Sequence, residues 1–194
     1  GEIINIFDSR LEVPSDKLEI FEGLLCPGFV NAHCHLELSH LKGIAENGKG
    51  ILNFISRVKK RDEFKNEEIQ NSIIKAEDQM IKNGIVAVGD ICNTTDTLSQ
   101  KQKGNLLYYN FIEIFQINEK KIKETLTSAK VIRNEFRNSG MKATIVPHSP
   151  YSVPPKLMEE ISNSFDNEDE LLTLHMQETS DENKLFEKRE GKLL

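Results

Sequence analysis

Short apolar runs alternate with longer amphipathic segments along most of this sequence, and this alternation constrains the fold more than any other feature. Strands are predicted at 27–35, 85–91, 106–115, 141–147 and 171–175. Between and after them, helical spacing of apolar residues predicts two helices over 51–83, then helices at 119–138, 154–164 and 179–190. A strand followed by a helix favours parallel pairing through right-handed crossovers. The chain is therefore predicted to be α/β, either a doubly wound sheet or a (β/α) barrel.

The composition is that of an ordinary globular protein, with 38% hydrophobic and 29% charged residues. The net charge is −6 and the basic residues are scattered, which argues against nucleic acid and anionic membranes as partners. No apolar run approaches the ~18 residues that a membrane-spanning helix needs. Three cysteines without a Cys-x-x-Cys pair indicate reduced thiols, as in a cytoplasmic protein, rather than a disulfide framework.

The first 22 residues differ from the rest. Short strands are predicted at 2–6 and 18–22, around polar turns at 8–10 and 14–16, and Pro27-Gly28 forms the joint to the first apolar strand of the α/β pattern. This β element is too small to fold alone. We therefore divide the chain into residues 1–22, part of a flanking β structure, and residues 23–194, the α/β part.

The first strand of the α/β part ends in two histidines one residue apart. Because side chains on a strand alternate between faces, His33 and His35 should project together, whereas Cys34 should point to the opposite side as a small buried residue. Two neutral imidazoles so placed can share a metal ion. A single His-x-His leaves metal binding and ordinary packing equally open.

Two later strands also end on histidine. His148 follows the strand at 141–147 and His175 follows 171–174, whereas His40 lies outside this pattern and is expected to pack near the next helix. In α/β folds the carboxyl ends of the strands are where active sites are assembled. Glu178, three residues after His175, is either a proton carrier or an acidic residue that begins the last helix; the residues alone do not choose.

Two further acids have open interpretations. Asp90 ends a β-branched strand and is either a pocket-lining residue or structural. Glu113 lies within the apolar run 111–115, where a buried carboxyl needs a partner. It either orients a ligand histidine or forms a structural pair. The acidic runs 62–63, 67–68 and 166–170 are expected to be solvated.

Three segments carry a family resemblance. The segment 27–37, Pro-Gly-Phe-Val-Asn-Ala-His-Cys-His-Leu-Glu, resembles the signature of the amidohydrolase superfamily, in its branch of aminohydrolases and chlorohydrolases. The segment 147–153 is similar to the branch's His-Ala-Pro-Tyr-Thr on strand four, and 175–179 to its His-x-x-Glu-Thr on strand five. The resemblance implies a TIM-barrel (β/α)8 fold, with residues 1–22 part of a flanking β-sandwich.

The same resemblance implies a role for each matched residue. The metal ligands would be His33, His35 and His175. Glu178 would carry a proton between water and substrate, His148 would contact the substrate, and Glu37 would be a weaker candidate for orienting it. His148 at the end of strand four fits a site with one divalent ion, for which zinc is expected and iron is the alternative.

The implied reaction is hydrolytic deamination of an amino-substituted N-heterocycle such as a purine, nucleoside or triazine, by hydroxide from metal-bound water. The partners would be this small substrate and water, with a homodimer left open. A cyclic-amide hydrolase or a chlorohydrolase on the same scaffold is an alternative, as is a non-catalytic metal-binding remnant.

Family members have eight βα units, a fourth histidine after strand six and a metal-binding aspartate after strand eight. The sequence contains about five units and neither of these residues. An open barrel leaves unpaired strand edges and an uncovered core. The expectation is therefore that the chain is the N-terminal portion of a longer enzyme and is inactive alone.

Overall fold

The computed structural model describes residues 3–7, 14, 16, 18–44, 50–167 and 169–193. A parallel sheet of four strands, each paired with the next along the chain, organises these residues. The strands are β1 (Phe29–Cys34), β2 (Ile85–Cys92), β3 (Leu107–Ile114) and β4 (Lys142–Pro147). Their carboxyl ends lie along one edge of the sheet, where the histidines were predicted to converge.

The helices connect and cover these strands. They are α1 (Ile51–Val58), α2 (Asn66–Lys82), α3 (Leu98–Lys101), α4 (Ile122–Asn138), α5 (Pro155–Ser162) and α6 (Ser180–Lys188). Three 3₁₀ segments at Leu36–Leu41, Lys59–Glu63 and Glu119–Lys121 complete the connections. All of the predicted helices are present, and α3 and the first 3₁₀ segment were not anticipated. Among the described helices, none has both the length and the apolar character required to cross a lipid bilayer.

The core lies mainly between the sheet and its helices. Helix α4 buries one stripe of side chains against β3, β4 and α5, with Phe136 fully buried, as its apolar spacing predicted. Helix α2 packs Ile73 and Met80 against β1 and β2. At Gly89, a Cβ would stand 2.6 Å from the Ala32 carbonyl oxygen, so the close approach of β1 and β2 requires glycine at this position.

The strand predicted at 171–175 is not formed, so four of the five strands predicted for the α/β part are present. The segment makes one strand-like bond, from the His175 amide to the His148 carbonyl oxygen at 2.7 Å. The Leu171 amide donates instead to the Tyr109 hydroxyl at 2.8 Å. The apolar run therefore lies against the edge of β4 without the repeated ladder that defines a strand.

The predicted strands in the first 22 residues are also wrong where the structure describes them. Residues 3–7 and 18–22 form no regular secondary structure, and most of their side chains are exposed. A short strand forms only where a neighbour completes its hydrogen bonds. The turn at 8–10 and part of that at 14–16 lie outside the described residues. The division into 1–22 and 23–194 stays a prediction.

Candidate metal centre

Three imidazoles converge at the carboxyl edge of the sheet. His33 is the penultimate residue of β1, His35 lies just beyond the end of that strand, and His175 arrives from the segment beside β4. One ring nitrogen from each lies within 4.8 Å of the others. The ring centroids are 5.1 Å apart for His33 and His35, 4.7 Å for His33 and His175, and 5.4 Å for His35 and His175.

The local backbone explains how β1 delivers its pair. The pairing with β2 shifts register between Asn31 and Cys34, and the Leu36 amide then donates to Asp90 Oδ1 at 2.8 Å. This bond anchors the chain immediately after His35. Cys34 packs on the opposite side with the α2 core, as predicted, but is half-buried rather than fully buried; this burial raises the pKa of its thiol to about 12.

The electrostatics suit a metal ligand set. Burial lowers the pKa of His33, and lowers that of His35 to about 4, so both rings are neutral at pH 7, the form that binds metal. The Nδ1 of His35 is buried with no hydrogen-bond partner in the described part of the chain. Such an orphaned nitrogen costs free energy unless something satisfies it, and a divalent ion would do so.

Glu113 has the partner that a buried acid requires. Its Oε1 lies 3.2 Å from Nε2 of His175, and its side chain is 5% exposed. Burial alone would raise the pKa of this carboxyl, but the hydrogen bond with His175 and the neighbouring imidazoles lower it. The same hydrogen bond is the main cause that raises the pKa of His175. Glu113, His148 and His175 also offer three ligand atoms within 4.8 Å, a set that shares His175 with the first and so belongs to the same site.

His148 stands beside this cluster at the end of β4. Its backbone amide donates to the Ile114 carbonyl oxygen at 3.0 Å, which fixes the residue to β3. Its ring centroid is 5.0 Å from that of His175, and Phe115 and Tyr151 contact it edge-on. The structure therefore brings the predicted substrate-contacting histidine next to the predicted ligands.

Glu178 lies just before α6 rather than within it. Thr179 caps the helix by accepting from the Glu182 amide at 3.4 Å, and the Glu182 carboxylate accepts from the Glu178 amide at 2.8 Å. The capping carboxylate is thus Glu182, not Glu178, whose side chain is exposed. Gln177, in the left-handed region at φ 56°, turns the chain between His175 and this carboxylate. Within the described part of the chain, the Glu178 carboxylate accepts no hydrogen bond and forms no ion pair.

Glu37 occupies a different environment from the one predicted for a substrate contact. Its side chain is fully buried, and its two oxygens accept from Arg61 at 3.0 Å and from the amides of Asn93 and Thr94 at 3.1 and 3.0 Å. The Thr94 hydroxyl donates to it as well, at 2.9 Å. In this structure Glu37 ties the segment after β1 to the loop after β2, and its substrate role stays a prediction.

Two other residues find structural partners. Asp90 is fully buried and pairs with Lys101, whose Nζ is 2.5 Å from Oδ2, on the helix-covered side of the sheet. It therefore does not line a pocket. His40 is buried and packs its ring against Phe64, as expected for a residue outside the site. Sequence reasoning did not identify Arg61 or Lys101, because their roles depend on neighbours distant in the chain.

Comparison with known proteins places this geometry in context. A model of the Amidohydrolase family matches residues 24–193. The chain is 28% identical over 188 residues to a 5'-deoxyadenosine deaminase of Methanococcus maripaludis, an alignment covering 91% of this chain and 44% of that protein. It is 26% identical to a 5-methylthioadenosine/S-adenosylhomocysteine deaminase of Thermococcus sibiricus, covering 87% and 41%. The chain thus spans less than half the length of these relatives.

Among solved structures, Helicobacter pylori aminofutalosine deaminase superimposes with a TM-score of 0.72 at 23% identity, over 86% of this chain and 41% of that one. An adenosine deaminase from Xanthomonas campestris gives a TM-score of 0.65 at 19% identity. These similarities concern the fold. They confirm the predicted α/β architecture as part of a barrel, with four strands formed.

Proposed function

Because the chain belongs to the amidohydrolase family, we propose that a full-length protein containing it is a metal-dependent deaminase of an amino-substituted N-heterocycle, such as a purine nucleoside. The observation that carries this proposal is the convergence of His33, His35 and His175, with the exposed carboxylate of Glu178 near enough to interact with His33 and His175 electrostatically. The nucleoside deaminases among its sequence relatives support the substrate class.

His33, His35 and His175 would hold one divalent ion. Three imidazole nitrogens suit zinc and also iron, and we favour zinc because histidine ligands that leave a position for water are typical of catalytic zinc sites. When bound, the ion supplies Lewis-acid activation of a water molecule. The buried Glu113 keeps His175 oriented toward it and offsets the positive charge nearby.

The remaining roles fall to side chains of this chain. Glu178 would take the proton from the attacking water and deliver it to the departing amine, so that the C–N bond breaks as a C–O bond forms and ammonia leaves. His148 would hold the substrate against the site from β4. Glu37 is retained as a weaker substrate-orienting candidate, acting through the loops that it ties together.

The activity belongs to a whole barrel, since the relatives extend well beyond the aligned region. The family resemblance implies that a fourth histidine and an aspartate complete the site there. We expect the 194-residue chain to be inactive by itself. We further propose a cytoplasmic enzyme, supported by three cysteines that are all free thiols; a homodimer is compatible with this assignment.

The test is ammonia release by the full-length protein from adenosine, 5'-deoxyadenosine, guanine and an aminotriazine, with a cyclic amide and a chlorotriazine as further arms. We expect turnover of at least one amino-heterocycle. Glu178→Gln should lower kcat by roughly 10² to 10⁴-fold while metal content is unchanged. Glu187→Gln, at an exposed position of α6, is the control. Hydrolysis of the cyclic amide or the chlorotriazine alone would reassign the reaction, and a metal-loaded protein without any turnover would contradict an enzymatic role.

A further inference from the structure

Two buried serine hydroxyls hold one nitrogen of His148. Nδ1 lies 2.8 Å from the Ser149 hydroxyl and 2.8 Å from the Ser152 hydroxyl. The two hydroxyl oxygens are 2.7 Å apart, and Ser152 Oγ also lies 3.2 Å from the Ser149 carbonyl oxygen. Both serines are buried, and the turn that carries them is closed by a bond from the Ser152 amide to that carbonyl at 3.1 Å.

Counting hydrogens over these four contacts identifies the imidazole tautomer. With a hydrogen on Nδ1, that one hydrogen is shared between the two hydroxyls, which both lie 2.8 Å from Nδ1. Ser149 then donates to Ser152 and Ser152 to the carbonyl, so every contact contains a hydrogen. Without it, two hydroxyl hydrogens must serve four contacts. Because a bare Nδ1 has one lone pair and accepts from only one of the two hydroxyls, the other hydroxyl oxygen would face it at 2.8 Å, lone pair to lone pair, within a buried cluster, which is costly.

We infer that neutral His148 carries its hydrogen on Nδ1 and presents a bare Nε2, which selects substrates that place an N–H or O–H donor against it. This inference rests on the proposed function for the presence of a substrate, but the tautomer follows from the serine contacts alone. Nε2 makes no hydrogen bond to any residue within the described ranges. The nearby His175 and Glu113 identify its surroundings as the candidate metal centre.

The chemical consequence is a preference for one class of substrate group. A bare Nε2 accepts, so an amino group, a protonated ring nitrogen or a sugar hydroxyl is recognised there. A carbonyl oxygen or an ether at the same place would face a second lone pair. His148 would thus act as a specificity-determining residue, and the two serines as positioning residues that act through it.

Substitutions of Ser149 and Ser152 should change the His148 tautomer in ways that the four contacts predict. Ser149→Ala leaves Nδ1 donating to Ser152 and Ser152 donating to the carbonyl, so the Nδ1–H tautomer is retained. Ser152→Ala leaves one contact, between Nδ1 and the Ser149 hydroxyl. Either tautomer can form a hydrogen bond there, so the preference for a hydrogen on Nδ1 is lost. Ser152→Thr keeps the hydroxyl and should restore it. These three substitutions separate the tautomer effect from a general loss of packing.

The experiment is ¹⁵N NMR of the imidazole nitrogens of the 194-residue chain, without added metal, at a pH where His148 is neutral, with the His148 signals assigned by comparison with His148→Gln. We expect a protonated Nδ1 in the wild type, Ser149→Ala and Ser152→Thr, and a mixture of tautomers in Ser152→Ala. A hydrogen on Nε2 in the wild type overturns the inference, as does an unchanged tautomer in Ser152→Ala.

A second arm uses the full-length protein. With any amino-heterocycle that it deaminates, Ser152→Ala should raise KM by about twofold, because only about half of the His148 rings would then present a bare Nε2, with a smaller change in kcat. Equal KM values in the wild type and Ser152→Ala would refute the substrate contact. If no deamination occurs, the proposed function fails, while the NMR result still decides the tautomer.

Discussion

The Oε1 atom of Glu113 lies 3.2 Å from Nε2 of His175, and both side chains are largely buried at the carboxyl edge of the sheet. Glu113 comes from β3 and His175 from a later segment that forms no strand of its own. A carboxylate that accepts from an imidazole fixes the orientation of the ring and raises its basicity. The contact with Glu113 therefore helps to hold the His175 ring in place, although the segment that carries His175 makes only one strand-like hydrogen bond.

Substitution of Glu113 tests this relationship. Glu113→Gln keeps the volume but removes the negative charge that orients His175, so zinc affinity should fall by roughly 10 to 100-fold. The measurement is a competition titration against a chromogenic zinc chelator. Glu159→Gln, at an exposed position on α5, is the matched control and should bind zinc like the wild type. Equal zinc affinities for all three proteins would show that Glu113 and His175 form only a structural pair and that Glu113 does not support metal binding.

The fold was predictable from the sequence wherever a local signal was strong. The β-branched run of β2 and the apolar stripe of α4 predicted a strand and a helix at close to the observed bounds. The run at 171–174 has the same local character, but the described segment makes only one strand-like bond to the chain beside it, so its apolar pattern did not produce a strand. The spacing of apolar residues indicates which face of a segment is buried, but it does not indicate whether a neighbouring strand is present to form hydrogen bonds.

The candidate site was predictable to a similar extent. The alternation of side chains on β1 explains why His33 and His35 lie together, as predicted. His175 also converges with them, although the strand that was predicted to carry it does not form. The environment of Glu37 was not predictable, because its partner Arg61 lies 24 positions away, in the 3₁₀ segment between α1 and α2. Contacts between distant segments are set by the packing of the whole sheet.

Arg61 should be important for stability. Its guanidinium donates to Glu37 at 3.0 Å and to Asp96 at 2.9 Å, and the Glu37 carboxylate is fully buried. Arg61→Ala leaves that carboxylate without its cation, which should lower the free energy of unfolding by about 2 to 3 kcal/mol. Urea denaturation measures the loss. The neighbouring Lys60→Ala, at an exposed position, should change stability by less than about 0.5 kcal/mol, and an equal effect of both would contradict the assignment.

The buried pair of Lys101 and Asp90 makes a second stability prediction. Both side chains are fully buried, so Lys101→Met should cost about 3 to 5 kcal/mol by stranding the Asp90 charge. The double variant Lys101→Met/Asp90→Asn should recover part of this loss, since neither charge remains. A single variant as stable as the wild type would show that the pair contributes nothing.

Lys101 also predicts a pH dependence. Burial alone would lower the pKa of its ammonium, but contacts with Cys92 and Asp90 raise it above the ordinary 10.5. A raised folded pKa means that the stabilisation is complete below about pH 10.5 and is lost as the pH rises toward the folded pKa. Unfolding free energy should therefore decline at alkaline pH in the wild type, with this contribution absent in Lys101→Met. Parallel pH profiles for the two proteins would contradict the raised pKa.

The most direct test of the central claim is zinc bound per chain, measured by mass spectrometry of metals after dialysis, for the wild type, His33→Ala and His175→Ala. If the imidazoles of His33, His35 and His175 form one site, the wild type retains one zinc and each variant loses it, while His40→Ala, outside the cluster, retains it. Retention of zinc by both His33→Ala and His175→Ala would contradict the assignment.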